Sequence, residues 1–515
     1  MNSKEILKFC LQNGLLVDNE VLSLLSEEGD VDSIKLIIER IKSYSNGKII
    51  TRELFIKNKE QVSRVFFDLP VERQKGLENL KIKLGLSIEI SKESPSEKIS
   101  SVTGSEGNVK ILSSYIRPGK KFEVDDFVKH FRSRLIELRS VLQDRKELEN
   151  LVSINKLSNN RQTVSVIGVV YDKRTTKNGN IILEIEDLTG IIKIIVSKNK
   201  EDLYKKVEDV PLDSVLAFKC SGDRNVLFCQ DIFFPELILP ERKKAMAEEY
   251  ALFISDLHLG SKNFLEEKFL KFIDYLNDTD LPEVSKIKYL FIVGDLITGV
   301  GNYPDQEKDL KILDLEDQFN HAAELLSRIR KDIKIIISPG NHEGVRLMEP
   351  QPFFDEKYAW AIYDLENVIL TENPAIVNIG SMLGFEGFNV LTYHGFSYFF
   401  YANTVSSLMK IKAANSPEKI MEFLMKFRHL APTHKSVQYF PSEKDTHLIR
   451  EAPDIFVSGH THKSGVVYYN NILVISGSSW ESFTPYQEKF GNTPDFCKVP
   501  MLNLKTREVK ILDFE

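Results

Sequence analysis

The chain has 515 residues, 42% of them apolar, enough for about two to four cored domains. Its formal net charge of −7 excludes a strongly cationic nucleic-acid coat, so any grip on nucleic acid is local or comes from a partner. The four cysteines, Cys10, Cys220, Cys229 and Cys497, form no C-x-x-C pair; this argues against a disulfide framework or cysteine zinc site and for buried, reduced thiols.

Residues 1–60 carry Ile6, Leu7, Phe9, Leu15, Leu16, Val21, Leu24 and Leu25 at helix-like spacings, broken by Gly14 and Gly29. A small helical module is expected, either a structural cap or a protein-docking element. Lys, Glu and Asn interrupt the first sixteen residues, unlike a secretory signal. No run approaches about 18 apolar residues, so a cytoplasmic protein without a membrane span is expected. Residues 61–90 alternate charged and apolar positions and give no assignment. From 91 to about 115 a solvated linker is expected, because Ser, Glu, Lys and Gly dominate its first part. A helix follows over 127–151, with Phe127, Phe131, Leu135, Leu138 and Leu142 at three- and four-residue steps. Lys129, His130, Arg132, Arg134 and Arg139 decorate it, and a solvated face is the expected reason.

Residues 162–236 read as strands at 162–171, 181–187, 191–196, 215–220 and 226–233, with a short helix at 203–207. Five strands with a helix between the third and fourth fit an oligonucleotide/oligosaccharide-binding (OB) barrel, giving a helix-plus-barrel domain over 120–240. Few aromatics sit on these strands before Phe218, which favours protein contact over base stacking. From 249 to 515 strands and helices alternate. Helices are expected at 264–276 and 313–329. Strands are expected at 250–254, 289–293, 333–337, 368–370, 376–379, 389–392, 455–457 and 472–475. The last strands follow one another without long helices, so the expected fold is an α/β sandwich.

Five polar motifs each follow a strand-like run: Asp256-x-His258, Gly294-Asp295, Gly340-Asn341-His342-Glu343, His394-Gly395 and Gly459-His460-Thr461-His462. Strand ends at one sheet edge are where open α/β folds place ligands, so all five can converge. Taken singly each has an ordinary reading: Asp295 as a turn or helix cap, His394 as a buried, hydrogen-bonded histidine. Together, His342 set aside, they offer two Asp, one Asn and four His without a thiolate, a donor set for Mn, Fe or Zn in five- or six-coordinate geometry. That is too many donors for one ion. Two ions about 3.5–4 Å apart, bridged by an Asp, would use them all and suit phosphoryl displacement.

The motif order resembles that of the calcineurin-like metallophosphoesterases over about 249–480. The resemblance implies that Asp256, His258, Asp295 and His462 hold one metal. It implies that Asp295, Asn341, His394 and His460 hold the other, with Asp295 bridging. His342 would steady the scissile phosphate and protonate the leaving oxygen. Ser/Thr phosphatases resemble the chain at 340–343, but their phosphate-gripping Arg is missing after Gly294-Asp295. Double-strand-break nucleases begin at the phosphoesterase domain, whereas about 250 residues precede it here. An OB barrel before a phosphoesterase resembles the small, B-type subunits of replicative DNA polymerases. Residues 341–352, 428–432, 453–456 and 477–485 resemble the archaeal D-family in particular. Eukaryotic B-subunits have lost most metal ligands; this chain keeps all of them.

The resemblance thus implies a multidomain chain: helical module, OB-fold barrel and metallophosphoesterase sandwich. It implies a 3′–5′ proofreading exonuclease that acts on the single-stranded 3′ end of DNA beside a large catalytic polymerase subunit. A sliding clamp would be reached through the complex. Two divalent ions are expected, manganese first, with magnesium or iron(II) as alternatives. Rival readings are a non-catalytic scaffold subunit and a stand-alone repair nuclease. Arg346 is a candidate phosphate contact, set against a salt bridge to Glu349. After His394-Gly395 the resemblance leads to acidic residues, but the chain has Phe396-Ser397-Tyr398-Phe399-Phe400-Tyr401, aromatics for stacking on frayed bases or for a core.

Overall fold

A computed structural model describes residues 3–18, 21, 22, 25, 34, 35, 38, 42, 49–51, 109–113, 121–483 and 493–515. The chain divides into two compact units, Met1–Gly104 and Ser105–Glu515. In the first, α1 (Ser3–Gln12) buries Ile6 and Cys10, and β1 (Leu16–Val17) pairs in parallel with β2 (Ile49–Ile50). That strand pair departs from the all-helical expectation. Most of 19–60, and the stretches 61–90 and 91–108, lie outside the described residues. The expected linker ends sooner than residue 115, because β3 (Val109–Ile111) is already a strand, paired antiparallel to Val377–Ile379.

In the second unit β3 is followed by α2 (Val124–Gln143), whose Leu135, Leu138 and Leu142 pack on barrel residues Ile167, Val215 and Ala217. Lys129 and Arg132 are exposed, but the solvated-face reading fails for His130 and Arg134, which are 0% and 2% exposed. With Asp126 they form a buried polar stripe at i, i+4 and i+8, one face of the helix. Arg134 Nε donates to Asp445 at 2.6 Å, and its Nη1 donates to the Pro432 carbonyl at 2.6 Å. A charge can be buried there because Asp445 and Pro432, both more than 290 positions away, and the Asp213 carbonyl supply its partners, which no local pattern reveals.

Five strands close into a barrel in the order β4-β5-β6-β8-β7: β4 (Gln162–Thr175), β5 (Ile181–Asp187), β6 (Gly190–Val196), β7 (Val215–Gly222) and β8 (Leu227–Phe233). Helix α3 (Glu201–Glu208) joins β6 to β7 and plugs the interior with Leu203 and Val207. Cys220 and Cys229 face each other across β7 and β8; with Cys10 and Cys497 they are free and buried.

Beyond the barrel, two six-stranded sheets stack. The first has the order β12-β11-β10-β9-β18-β19, and the second β16-β17-β15-β14-β13-β3. In the first, β9 (Tyr250–Ile254), β10 (Ile287–Val293), β11 (Lys334–Ser338) and β12 (Val368–Leu370) run parallel. Strands β18 (Lys498–Asn503) and β19 (Val509–Asp513) return antiparallel. The second contains β13 (Ala375–Ile379), β14 (Phe388–Thr392), β15 (Ile455–Ser458), β16 (Gly465–Tyr469) and β17 (Ile472–Ser476). Between the sheets lie Phe253, Phe291 and Ile336 from one side and Val377, Val390, Val457 and Ile475 from the other. Helices α4 (Glu266–Asn277), α5 (Leu315–Ser327) and α6 (Glu356–Tyr363) cover the outer face of the first sheet through Phe269, Phe272, Phe319 and Ile362. Helices α7 (Tyr398–Thr404), α8 (Ser406–Lys410) and α9 (Pro417–Phe427) cover the second, and their core runs on into the barrel. Proline in a central strand is tolerated in β18 because Pro500 pairs only with β19; pairing to β9 starts at Met501. No helix among the described residues is long and apolar enough to cross a membrane.

Candidate metal centre

The five motifs meet at one edge of the stacked sheets, each in the loop that leaves a strand. The loops are tied by backbone bonds. Asp256 N–H donates to Gly294 O at 3.0 Å, His258 N–H to Asp295 O at 3.0 Å, and Gly459 N–H to His394 O at 3.0 Å. Asp256, His258, Asp295, His460 and His462 all adopt left-handed backbone, with φ between 52° and 70°. Such conformations cost about 1–3 kcal/mol each for non-glycine residues and persist where the surroundings over-determine them. Here they turn each side chain inward immediately after its strand ends.

Asp295, 2% exposed, lies at the middle. Its Oδ2 lies 3.2 Å from His394 Nε2 and 3.9 Å from both His258 Nε2 and His342 Nε2. Its Oδ1 accepts the His342 N–H at 3.0 Å. Asp256 accepts the His460 N–H at 3.0 Å and lies 3.6 Å from His462 Nε2. His258 Nε2 and His462 Nε2 approach to 3.0 Å. Asn341 Oδ1 and His394 Nε2 are 3.1 Å apart. The donors fall into clusters fit for a cation: Asp256 with His258 and His462, and Asp295 with His394 and His460. A third, His258 with Asp295 and His342, lies between them.

The electrostatics agree with that donor chemistry. Burial, aided by the charge of His394, pushes His460 down to about 3; burial, aided by His342 and then His394, pushes His462 down to about 4, so both stay neutral with a lone pair to give. Burial opposes a charge on His394, but Asp295 beside it, with Asp256 and Glu343, outweighs this and raises it to about 10. His394 Nδ1–H donates to the Val293 carbonyl at 3.1 Å, which turns Nε2 toward Asp295. The cluster thus calls for positive charge at that nitrogen, a proton in its place or a cation. His342 Nδ1–H donates to the Thr298 carbonyl at 2.7 Å, leaving Nε2 toward the site. Its pKa is raised: burial opposes, but Asp295 and the Thr298 bond prevail.

Two glycines make the room. A Cβ on Gly340 would lie 2.3 Å from Asp295 Oδ1, and one on Gly294, at φ +80°, 2.1 Å from His394 Nδ1. Behind the donors stands a layer that sequence reading missed. Glu343 accepts from Leu296 N–H at 2.5 Å and Gly340 N–H at 2.8 Å, binding two of the loops together. Burial raises its carboxyl to about 7. Asn373 Oδ1 accepts the His394 N–H at 2.9 Å, while its Nδ2 donates to Gln351 Oε1 at 2.6 Å. Gln351 Nε2 donates in turn to Gly340 O at 2.7 Å. Glu343 and Gln351 lie inside motif runs already singled out; Asn373 carries no local signal.

Arg346 has partners of its own. Its guanidinium donates to the Met348 and Pro350 carbonyls, at 3.3 and 2.9 Å, and lies over the Phe440 ring at 4.3 Å. The Glu349 carboxylate is taken by His447 Nε2 at 2.6 Å. The aromatic run divides. Tyr398 and Tyr401 are fully buried core, whereas Phe396 and Phe399 are half-buried, with rings 5.5 and 5.4 Å from that of His460.

Residues 251–464 match the family of calcineurin-like phosphoesterases. The chain is 38% identical to the DNA polymerase II small subunit of Pyrococcus furiosus, over 79% of its own length and 67% of that protein's. It is 36% identical to the protein of the same name from Pyrococcus abyssi, where it spans 64% of the relative. To the one from Methanothermobacter thermautotrophicus it is 34% identical, over 76% of this chain and 80% of the relative.

Proposed function

This chain belongs to the family of DNA polymerase II small subunits, and from that membership and the site we propose that it removes nucleotides from 3′ ends of DNA by phosphodiester hydrolysis. It would do so beside a large catalytic subunit, on single-stranded ends. The observation that carries this is the convergence of Asp256, His258, Asp295, Asn341, His394, His460 and His462 around one point, with His342 at its side. Asp256, His258 and His462 would hold one divalent ion, and Asn341, His394 and His460 a second, with Asp295 shared. Oxygen and imidazole donors suit manganese first, then iron(II) or magnesium. When bound, such a pair supplies positive charge to the phosphoryl oxygens and lowers the pKa of water.

The chain's own groups do the rest. Glu343, Gln351 and Asn373 hold the donors at fixed separations, which spares reorganisation during the reaction. The backbone bond to Thr298 holds His342 with Nε2 facing the reacting phosphate. Protonated there, Nε2 delivers its proton to the departing 3′-oxygen as the P–O bond breaks. The barrel over residues 120–240 reads as an OB fold whose role is protein contact. Tyr171 and Phe228 are the exposed aromatics on its described strands, which is a thin stacking surface. A phosphate contact by Arg346 would have to be made by a guanidinium already engaged by the Met348 and Pro350 carbonyls and the Phe440 ring.

The test is manganese-supplemented digestion of a single strand labelled at either end. A 3′ label should leave at once as mononucleotide, while a 5′-labelled strand shortens step by step. Release of the 5′ label first, or no digestion by the intact chain, would refute the reading. His342→Ala should lower kcat by about 10²–10⁴-fold and leave manganese stoichiometry unchanged, measured by single-turnover assay and calorimetry. Loss of metal binding would instead make His342 a ligand.

A further inference from the structure

We infer that Phe396 and Phe399 form a stacking subsite for the unpaired base at the strand end, an inference that rests on the hydrolytic reading above. The run 396–401 leaves β14 through the His394 loop and enters α7. Its tyrosines are spent on structure: Tyr398 and Tyr401 are fully buried, and the Tyr401 hydroxyl bonds Ser436 Oγ at 3.1 Å. Phe400 packs against the core beneath. Phe396 and Phe399 join none of the apolar cores among the described residues. They stay half-buried, three positions apart, each with its ring beside His460.

Two phenyl rings left partly in water next to histidine and carboxylate donors gain little from the protein itself. Their faces match one chemistry a nucleic-acid strand end offers and a paired duplex withholds, the open face of an unstacked base. A base resting on these rings leaves its own phosphate within reach of His460. Every base has such a face, so selection is by unpairing and not by sequence. Phe396 and Phe399 are therefore specificity-determining residues that act through substrate placement.

The experiment uses the full-length protein and the Phe396→Ala/Phe399→Ala double variant, with Phe399→Trp as the conservative control. Binding of a 3′-fluorescent oligothymidylate is read by anisotropy in EDTA, independently of turnover. In manganese, KM and kcat are measured on the same strand, on one ending in abasic residues, and on methyl p-nitrophenyl phosphate, which has no nucleobase. The double variant should raise Kd and KM for the oligothymidylate about 5- to 150-fold, with kcat within about threefold. Phe399→Trp should retain tight binding. The intact protein should suffer a similar loss on abasic ends, and the double variant should no longer tell the two ends apart. Unchanged Kd and KM, or an intact protein indifferent to the abasic end, would overturn the inference. So would an equal loss on the small diester, which would make the rings a packing support for His460. If the intact protein hydrolyses nothing, the hydrolytic reading falls, while the anisotropy arm still decides whether the rings hold bases.

Discussion

Asp295→Ala should reduce hydrolysis of single-stranded DNA by about 10³-fold or more, because its carboxylate lies in two of the three donor clusters and would be shared by both proposed ions. Its Oδ2 faces His394, His258 and His342, and its Oδ1 anchors the His342 backbone. Asp295→Asn separates charge from geometry: the amide oxygen can still accept the His342 N–H, yet the charge that draws cations is gone. Both variants should therefore lose activity, and the Asn variant should keep the loop better ordered. Both should also melt at a lower temperature: burial opposes the Asp295 charge, but His394, His342 and His258 outweigh it and hold the carboxyl well below the usual aspartate range, so the fold favours the charge that these variants remove. Calorimetric melting alongside a strand-degradation assay checks both halves. Full activity in either variant would remove Asp295 from the centre.

Asp445→Ala should destabilise the second unit by about 3–5 kcal/mol, the usual cost of stranding one member of a buried ion pair. Asp445 is fully buried and receives Arg134 Nε at 2.6 Å and His429 Nε2 at 2.8 Å, with His130 Nε2 at 3.4 Å. Burial pushes His429 down to about 3, so it acts as a neutral donor through Nε2 while its Nδ1 accepts the Ala431 N–H at 3.0 Å. Adding Arg134→Met to Asp445→Ala should cost less than the sum of the two, because the double change leaves no orphaned charge. The pH dependence has a definite sign. Burial opposes the charge on Asp445, but Arg134, His429 and His130 outweigh it and hold the carboxyl well below the usual aspartate range. Its folded pKa lies below its unfolded one, so its stabilisation is complete above about pH 4 and is lost progressively as pH falls from there to the lowered value. Denaturant midpoints measured from pH 7 down to pH 3 should show that loss in the parent chain and not in the Asp445→Ala variant.

Residues whose role is set by position relative to a strand could be read from the chain alone. Strand ends at Ile254, Val293, Ser338, Thr392 and Ser458 are each followed by a donor motif, and the structure gathers those donors. The barrel strands were equally legible because alternation in β5 and β6 is nearly unbroken, as their burial patterns reflect. The failures share a cause. His130 and Arg134 look like a hydrated face until Asp445 is brought to them from across the fold. Asn373 positions His394, and Arg346 lies on Phe440, through contacts without any local pattern. β3 becomes a strand because β13 offers it an edge. Periodicity reports how a segment meets an apolar core; it carries no information on which distant polar partner will satisfy a buried charge.

These side chains are proposed to hold two cations that share Asp295. Anomalous diffraction from manganese-soaked crystals of the full chain tests it most directly. Two manganese peaks are expected, one against Asp256, His258 and His462, the other against Asn341, His394 and His460, with Asp295 touching both. A single peak, or none among these residues at millimolar manganese, would contradict the account.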